Sequence, residues 1–248
     1  MKICIAQTKS LKGKIHRNIQ NHLRLIEYAI ELEASLIMFP ELSITSYEPK
    51  MGKELAVNIM DSIFNPFQTM SDDNDLVIGI GMPVRTDDGI NIGMFVFQPH
   101  IKRMVYSKQI LHPDEQPYFV GGKEHTTLNV KGNSIAVGIC YETLQRQHFL
   151  QANEMGADIY IASVAKSKDG IDKAYLYFSK ISNEFATPVL MSNCVGHCDH
   201  FLSIGQSAVW NKKGELIKKL DEENQGVLIY DTKSEKVESH QIIYKKRE

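Results

Sequence analysis

Three ionisable residues each close an apolar run. Glu41 follows Ser35-Leu36-Ile37-Met38-Phe39-Pro40, Lys108 follows Met104-Val105-Tyr106-Ser107, and Cys140 follows Ser134-Ile135-Ala136-Val137-Gly138-Ile139. Short apolar runs of this kind read as buried strands. A thiol, an ammonium and a carboxylate on three strand ends of one sheet system would converge in one crevice. The chemistry they suit is cleavage of an amide or nitrile through a thiol. The thiolate is the nucleophile, so the thiol must lose its proton. A neighbouring carboxylate accepts that proton and returns it to the leaving amine. A cation and a backbone N–H stabilise the developing oxyanion. Glu41, Lys108, Cys140 and the peptide N–H of Tyr141 fill these roles without a histidine.

Taken singly, each residue has an ordinary structural reading. A cysteine ending an apolar strand is commonly inert core. A glutamate after Phe-Pro commonly caps a helix, and a lysine ending a hairpin strand is commonly solvated. Only the set argues for chemistry, and spacing alone does not prove that its members meet.

The elements that would position them alternate between strand and helix, which favours α/β layers. Met1–Gln7 reads as a first strand. Ile19, Leu23, Ile26 and Ile30 recur at helical spacing, which predicts a helix over Asn18–Glu33. A second helix is expected over Lys53–Thr69, broken at Pro66 and the polar Ser71–Asp75. Leu76–Met82, Ile92–Gln98 and Met104–Ser107 follow as strands with short polar turns, so the sheet should be mixed. His125–Val130 and Ser134–Ile139 should form a hairpin across Lys131-Gly132-Asn133. Helical pattern returns over Leu144–Met155 and stops at Gly156. Asp158–Val164 then reads as a strand, Asp172–Ala186 as a helix and Pro188–Asn193 as a strand. Ser207–Trp210 and Glu215–Leu220 pair across a turn, and Gly226–Asp231 closes the series. The remainder, 231–248, reads as a charged tail broken only by Ile242-Ile243-Tyr244. No repeat, linker or low-complexity stretch interrupts the chain, so one domain over 1–248 is expected.

Composition narrows the function classes. The 248 residues are 43% apolar and 23% charged, with a net charge of −2. These are globular values, and they give no electrostatic reason to expect nucleic acid. No run approaches the roughly twenty apolar residues of a membrane-spanning helix. No export signal is visible, and four cysteines, Cys4, Cys140, Cys194 and Cys198, are few for this length. Reduced thiols in the cytoplasm are expected rather than a disulfide framework.

Three blocks carry a resemblance. Phe39-Pro40-Glu41-Leu42 with Tyr47, Tyr106-Ser107-Lys108-Gln109-Ile110-Leu111-His112-Pro113, and Gly138-Ile139-Cys140-Tyr141-Glu142 resemble, in order and separation, the signature blocks of the nitrilase superfamily, the carbon–nitrogen hydrolases. Ala157-Asp158 through Ser163, Glu184, Asn193, Gly205-Gln206-Ser207 and Asn211-Lys212-Lys213-Gly214-Glu215 extend the similarity over Met1 to Asp231. The resemblance implies a four-layer αββα sandwich with two mixed sheets. It implies Glu41 as general base, Lys108 as oxyanion stabiliser, Cys140 as acyl-forming nucleophile and Glu115 as an acid orienting Lys108. Tyr47, Tyr141, Glu142 and Ala165 are the expected substrate contacts. The implied substrate is a small linear amide or carbamoyl compound. No cofactor or metal is implied, and pairing into a homodimer through the face of Leu144–Met155 is.

The chain departs from the family pattern in Val164-Ala165-Lys166-Ser167-Lys168-Asp169-Gly170, which carries two lysines where amidases commonly have aromatic residues or proline. An arginine pair common in the following helix is missing, with only Lys180 nearby. Substrate identity therefore does not transfer; Lys166 or Lys168 could meet a substrate carboxylate, or remain solvated. Cys194-Val195-Gly196-His197-Cys198-Asp199-His200 holds four soft donors in seven residues, but zinc sites usually draw on two separated segments. The favoured reading is a surface loop at the mouth of the site, ahead of substrate contact by His200 or Cys198, with metal binding last. Two other readings stay open: a non-catalytic ligand-binding or scaffolding protein that keeps the fold, and a zinc-dependent hydrolase.

Overall fold

A computed structural model of the chain describes residues 1–242; Ile243 and Tyr244 of the expected tail lie outside the described residues. In chain order the elements are β1 (Lys2–Gln7), α1 (Ile15–Glu31), β2 (Leu36–Met38), α2 (Gly52–Leu55), α3 (Asn65–Asn74), β3 (Val77–Thr86), β4 (Gly89–Gln98), β5 (Ile101–Ser107), β6 (Thr127–Val130), β7 (Asn133–Ile139), α4 (Arg146–Glu154), β8 (Ile159–Val164), α5 (Lys168–Phe185), β9 (Val189–Asn193), β10 (Val195–Cys198), β11 (Phe201–Ile204), β12 (Ala208–Trp210), β13 (Leu216–Lys219), β14 (Gly226–Asp231) and β15 (Val237–Gln241).

Alternation along β1 explains the layering. Ile3 and Ile5 point to one face and join Leu36, Met38, Ile135, Val137, Ile161 and Leu190 in a core between two sheets. Cys4 and Ala6 point to the other face and pack with Ile19, Leu25, Ile26 and Ala29 of α1. Both faces of the strand are buried, so the run reads as continuously apolar. On the far side Tyr160, Ala162 and Val164 of β8 pack against Phe149 of α4 and Ile171, Ala174 and Phe178 of α5. The product is the αββα sandwich, held by three apolar layers.

One sheet has the strand order β15-β14-β1-β2-β3-β4-β5 and the other β13-β12-β9-β8-β7-β6. Both are mixed: β1, β2 and β3 run parallel, as do β7, β8 and β9, while the hairpins are antiparallel. Serine hydroxyls stitch the sheets across the core. Ser163 Oγ donates to the Phe39 carbonyl at 2.8 Å, and Ser192 Oγ to the Ala6 carbonyl at 2.6 Å.

Four expectations need correction. Lys53–Thr69 is not one helix; α2 and α3 are separate, and Pro66 opens α3 rather than breaking it, as suits a residue with no N–H to give. Helix α5 begins at Lys168, four residues before the apolar periodicity shows it. The Cys194–His200 run is no loose loop but most of a hairpin, with Val195 opposite Ile204 and Cys198 opposite Phe201. The charged tail continues the first sheet: Val237–Gln241 pairs along β14, with Tyr230 opposite Val237. A sheet-edge strand with exposed side chains carries no apolar signal, so the sequence reads as tail.

Candidate active site

Of the base, the lysine and the nucleophile, two come from one sheet and the third from the other. Glu41 follows β2 and Lys108 follows β5 in the seven-stranded sheet, whereas Cys140 follows β7 in the six-stranded one. The expected single sheet system is thus two stacked sheets, and the site forms where their strand ends face each other.

Glu41 is set by a sharp turn. Phe39 N–H still reaches the Gly79 carbonyl at 2.9 Å, but Pro40 cannot continue the ladder. Leu42 then takes φ 49°. The turn lies so close to β3 that a Cβ on Gly81 would fall 2.4 Å from Leu42 N and 2.6 Å from Pro40 O. Glycine is therefore required at 81 for Glu41 to sit where it does.

Lys108 is fully buried between two carboxylates. Its Nζ donates to Glu41 Oε1 at 2.7 Å and to Glu115 Oε1 at 2.6 Å. Glu115 Oε1 also accepts the Tyr47 hydroxyl at 2.9 Å, and Oε2 accepts the His112 N–H at 2.8 Å. An ammonium has three donors, so one N–H of Lys108 is left for another acceptor. Glu41 Oε2 is buried and has no hydrogen-bond partner among the described residues.

Charge follows from this packing. One ammonium cannot neutralise two buried carboxylates. Burial, with Glu115 adding to it, raises Glu41 to about 7 despite the attraction of Lys108. Burial opposes the charge of Lys108, but Glu41 and Glu115 outweigh it and hold the ammonium protonated, well above its ordinary value. Burial pushes the Cys140 thiol up to about 11; Glu41 adds to this, while Lys166 and Lys108 oppose it. The resting site therefore pairs a neutral thiol with an acid that titrates near neutrality.

Cys140 stands at φ 47°, in the left-handed region that costs a residue with a side chain on the order of 1 kcal/mol or more. It opens a 3-10 turn, Cys140–Leu144, and its Sγ faces the Ala165 carbonyl at 3.7 Å. The first N–H groups of such a turn lack partners within it, and that of Tyr141 is among them.

Glu142 holds this bend. Its side chain is fully buried; Oε1 accepts Ile139 N–H at 2.7 Å and the Tyr106 hydroxyl at 2.6 Å, and Oε2 accepts Gln109 N–H at 2.6 Å and Ile110 N–H at 3.2 Å. Thr143 Oγ1 adds a 2.6 Å bond to the Cys140 carbonyl. The expected substrate contact at Glu142 is therefore corrected. Its oxygens are occupied by the protein, and it clamps the nucleophile's turn to the segment after Lys108.

Cys140 opens into a cavity of about 290 Å³. Tyr47, Glu115, Tyr141 and Ala165 line it, as do His112, Asp114, Lys166, Lys173, His200 and Phe201. Larger polar depressions lie elsewhere, around Asp158 and Lys212 and around Lys9 and Arg17, and neither is lined by a cysteine. Sequence reasoning missed Lys173 and Phe201. Phe201 lies 5.7 Å from the Tyr47 ring, and only its place in the hairpin after β9 could have flagged it. Lys168 is exposed and outside the cavity, whereas Lys166 is inside it.

The Cys/His run divides. Cys194 and Cys198 are buried with their sulfurs 3.5 Å apart, His200 pairs with Asp199 at 2.8 Å, and His197 is exposed. No three His, Cys, Asp or Glu side chains among the described residues converge as a metal site would require. Of the two family-like positions late in the chain, Glu184 pairs with Arg146 at the surface. Asn193 is fully buried and bonds Lys166 N–H, Lys166 O and Gly205 O.

Comparison with known proteins bears on the family and the fold. The sequence profile of the family described as "Carbon-nitrogen hydrolase" matches residues 2–241. A glutamine-dependent NAD(+) synthetase of Acinetobacter baylyi is 25% identical over 226 residues, covering 87% of this chain and 41% of that protein. The chain thus spans about two fifths of the length of that relative. A "Probable nitrilase" of Schizosaccharomyces pombe is 26% identical, covering 87% of this chain and 82% of its own. Among solved structures, a cysteine-to-alanine mutant of an amidase from Nesterenkonia sp. AN1, in complex with butyramide, superposes with a TM-score of 0.85 at 20% identity, covering 95% of this chain and 92% of that one. Another mutant of that amidase shows covalent addition of the acetamide moiety of fluoroacetamide at its active-site cysteine.

Proposed function

The chain belongs to the carbon–nitrogen hydrolase family, and from that premise we propose that it hydrolyses the C–N bond of a small amide through a thioester on Cys140. The observation that carries the reading is Glu41. It is a fully buried acid with one oxygen bound to Lys108 and the other without a partner, beside the nucleophile.

In this reading Glu41 Oε2 takes the Cys140 proton as sulfur attacks the amide carbon. The carbonyl oxygen becomes an oxyanion, met by the remaining N–H of Lys108 and the N–H of Tyr141. The C–N bond then breaks, Glu41 passes its proton to the leaving nitrogen, and ammonia or an amine departs. Water enters, again losing a proton to Glu41, and its attack on the thioester releases the acid and restores the thiol. Glu115 and Tyr47 fix the direction of the lysine. A base poised near pH 7 suits both halves, because it must accept and return the same proton.

The substrate class to test is the primary amides. Butyramide is bound by the bacterial amidase, and the synthetase relatives are named glutamine-dependent. Four free thiols suit the reducing cytoplasm. The expected homodimer would use the face of Leu144–Met155, where Met155 is exposed; light scattering checks the mass. No helix among the described residues is long and apolar enough to cross a membrane.

Exposure to a panel of primary amides followed by intact-mass analysis tests the chemistry. An acyl adduct on Cys140, absent from Cys140→Ala, is expected. Ammonia release that persists in Cys140→Ala overturns the reading.

A further inference from the structure

Two buried lysines stand at the site, Lys108 and Lys166, and only one is neutralised. Lys108 is held by two carboxylates, whereas no carboxylate or carbonyl partner takes the ammonium of Lys166 among the described residues. Yet Lys166 is only 6% exposed and lines the cavity that contains Cys140. Its stem is buried while its ammonium opens on the cavity with no acid beside it among the described residues, which leaves a positive charge on the wall for an anion from outside the chain.

The position is built rather than incidental. Lys166 N–H donates to Asn193 Oδ1 at 2.9 Å, and its carbonyl accepts from Ser203 Oγ at 3.0 Å and Asn193 Nδ2 at 3.3 Å. Asn193 and Ser203 are themselves buried. The aliphatic stem runs against Gly170 in the first turn of α5, where a Cβ would meet Lys166 Cβ at 3.2 Å and Cγ at 3.5 Å. Glycine is unfavourable in a helix relative to alanine, and here it makes room for the stem. The start of the 18-residue α5, with Ser167 and Gly170 on the cavity wall, adds the positive end of a helix to the same corner. Lys173 stands exposed at the rim. The acids of the wall are already engaged: Asp114 by His112, and Glu115 by Lys108, Tyr47 and the His112 N–H.

We propose that Lys166 is an anion anchor, and that the substrate is a short primary amide carrying a carboxylate at its far end, a half-amide of a dicarboxylic acid. This deepens the hydrolase reading and rests on Cys140 as its acyl acceptor. Ala165, the residue before the anchor, faces the nucleophile through its carbonyl, so amide and carboxylate must be separated by only a few carbons. The cavity of about 290 Å³ has room for a ligand of that size.

The test compares kcat/KM for succinamate and glutaramate with the uncharged butyramide and valeramide, in wild type, Lys166→Met and Lys166→Arg. A charged hydrogen bond at a substrate carboxylate predicts a preference of about 10- to 100-fold for the half-amides in wild type. Lys166→Met should abolish that preference, and Lys166→Arg should keep part of it. The ratio is read within each protein, so a folding defect that lowers both rates does not mimic the result. Equal loss on charged and neutral amides in Lys166→Met would mean that Lys166 only tunes the thiol, and would overturn the proposal. So would a wild type without preference that still acylates Cys140, which leaves the hydrolase reading intact. Thermal stabilisation of Cys140→Ala by succinamate, lost in the Cys140→Ala, Lys166→Met double variant, supports the anchor. If that binding occurs but wild type never acylates, the anchor stands and the hydrolase reading fails.

Discussion

The two sides of Cys140 each hold a buried glutamate, and the two are used in opposite ways. On the seven-stranded side Glu41 has one oxygen on Lys108 and the other without a partner. On the nucleophile's own turn, both oxygens of Glu142 are filled by three backbone N–H groups and a tyrosine hydroxyl. Burial raises both carboxyls; in Glu142 the Tyr106 hydroxyl and the backbone N–H groups of Ile139 and Gln109 pull it back, while in Glu41 the counterweight is Lys108 and the neighbouring thiol. In the proposed mechanism the unfilled oxygen of Glu41 is the one that moves a proton, while the filled oxygens of Glu142 hold a shape. Residue type and burial alone would not separate them.

The strongest way to break this contrast is Glu41→Gln. Removing the base should lower kcat by about 10²- to 10⁴-fold, read in a steady-state ammonia assay. The fold should not suffer in step. The raised carboxyl of Glu41 favours the folded state below its ordinary value of 4.5, and that advantage is lost as pH rises through about 7. The variant has no such loss, so its melting temperature relative to wild type should climb between pH 5 and 8. A variant that melts well below wild type at pH 8 would make Glu41 structural.

Glu142→Gln should do the reverse. Either orientation of the amide aims an NH₂ at backbone N–H groups, leaving at least one buried donor unmet and the clamp weakened. The expected cost is about 2–4 kcal/mol, which calorimetry would register as a melting temperature lower by several degrees. Full stability with lost turnover would return Glu142 to the substrate side.

The smallest effect sharpens rather than breaks the comparison. Below pH 7 the rate constant kcat/KM should fall about tenfold per unit as Glu41 takes up its proton. A flat profile from pH 5 to 8 on an uncharged amide would remove Glu41 as the base.

Much of this arrangement was legible in the residues. Apolar runs ending at Glu41, Lys108 and Cys140 announced the strand ends, because strands buried on both faces leave an uninterrupted signal. The clamp was not legible. Glu142 meets Gln109 and Ile110 through backbone N–H groups more than 30 positions away, and no side-chain type records such a contact. The β10–β11 hairpin was obscured by its own chemistry, since Cys194 and Cys198 drew attention as donors when their place is in the core. Lys166 could be noted as a departure, but only the fold shows that it faces the nucleophile's cavity while Lys168, two residues on, does not.

The hydroxyl stitches of Ser163 and Ser192 also set how the two sheets lie against each other. They tie the back of the strand that leads to Glu41 to the layer that carries Cys140. The gap between acid and sulfur is therefore a vernier on the alignment of two stacked plates. In the proposed mechanism a slide of about 1 Å, too slight for a spectroscopic probe of secondary structure, would cost on the order of 10²-fold in rate.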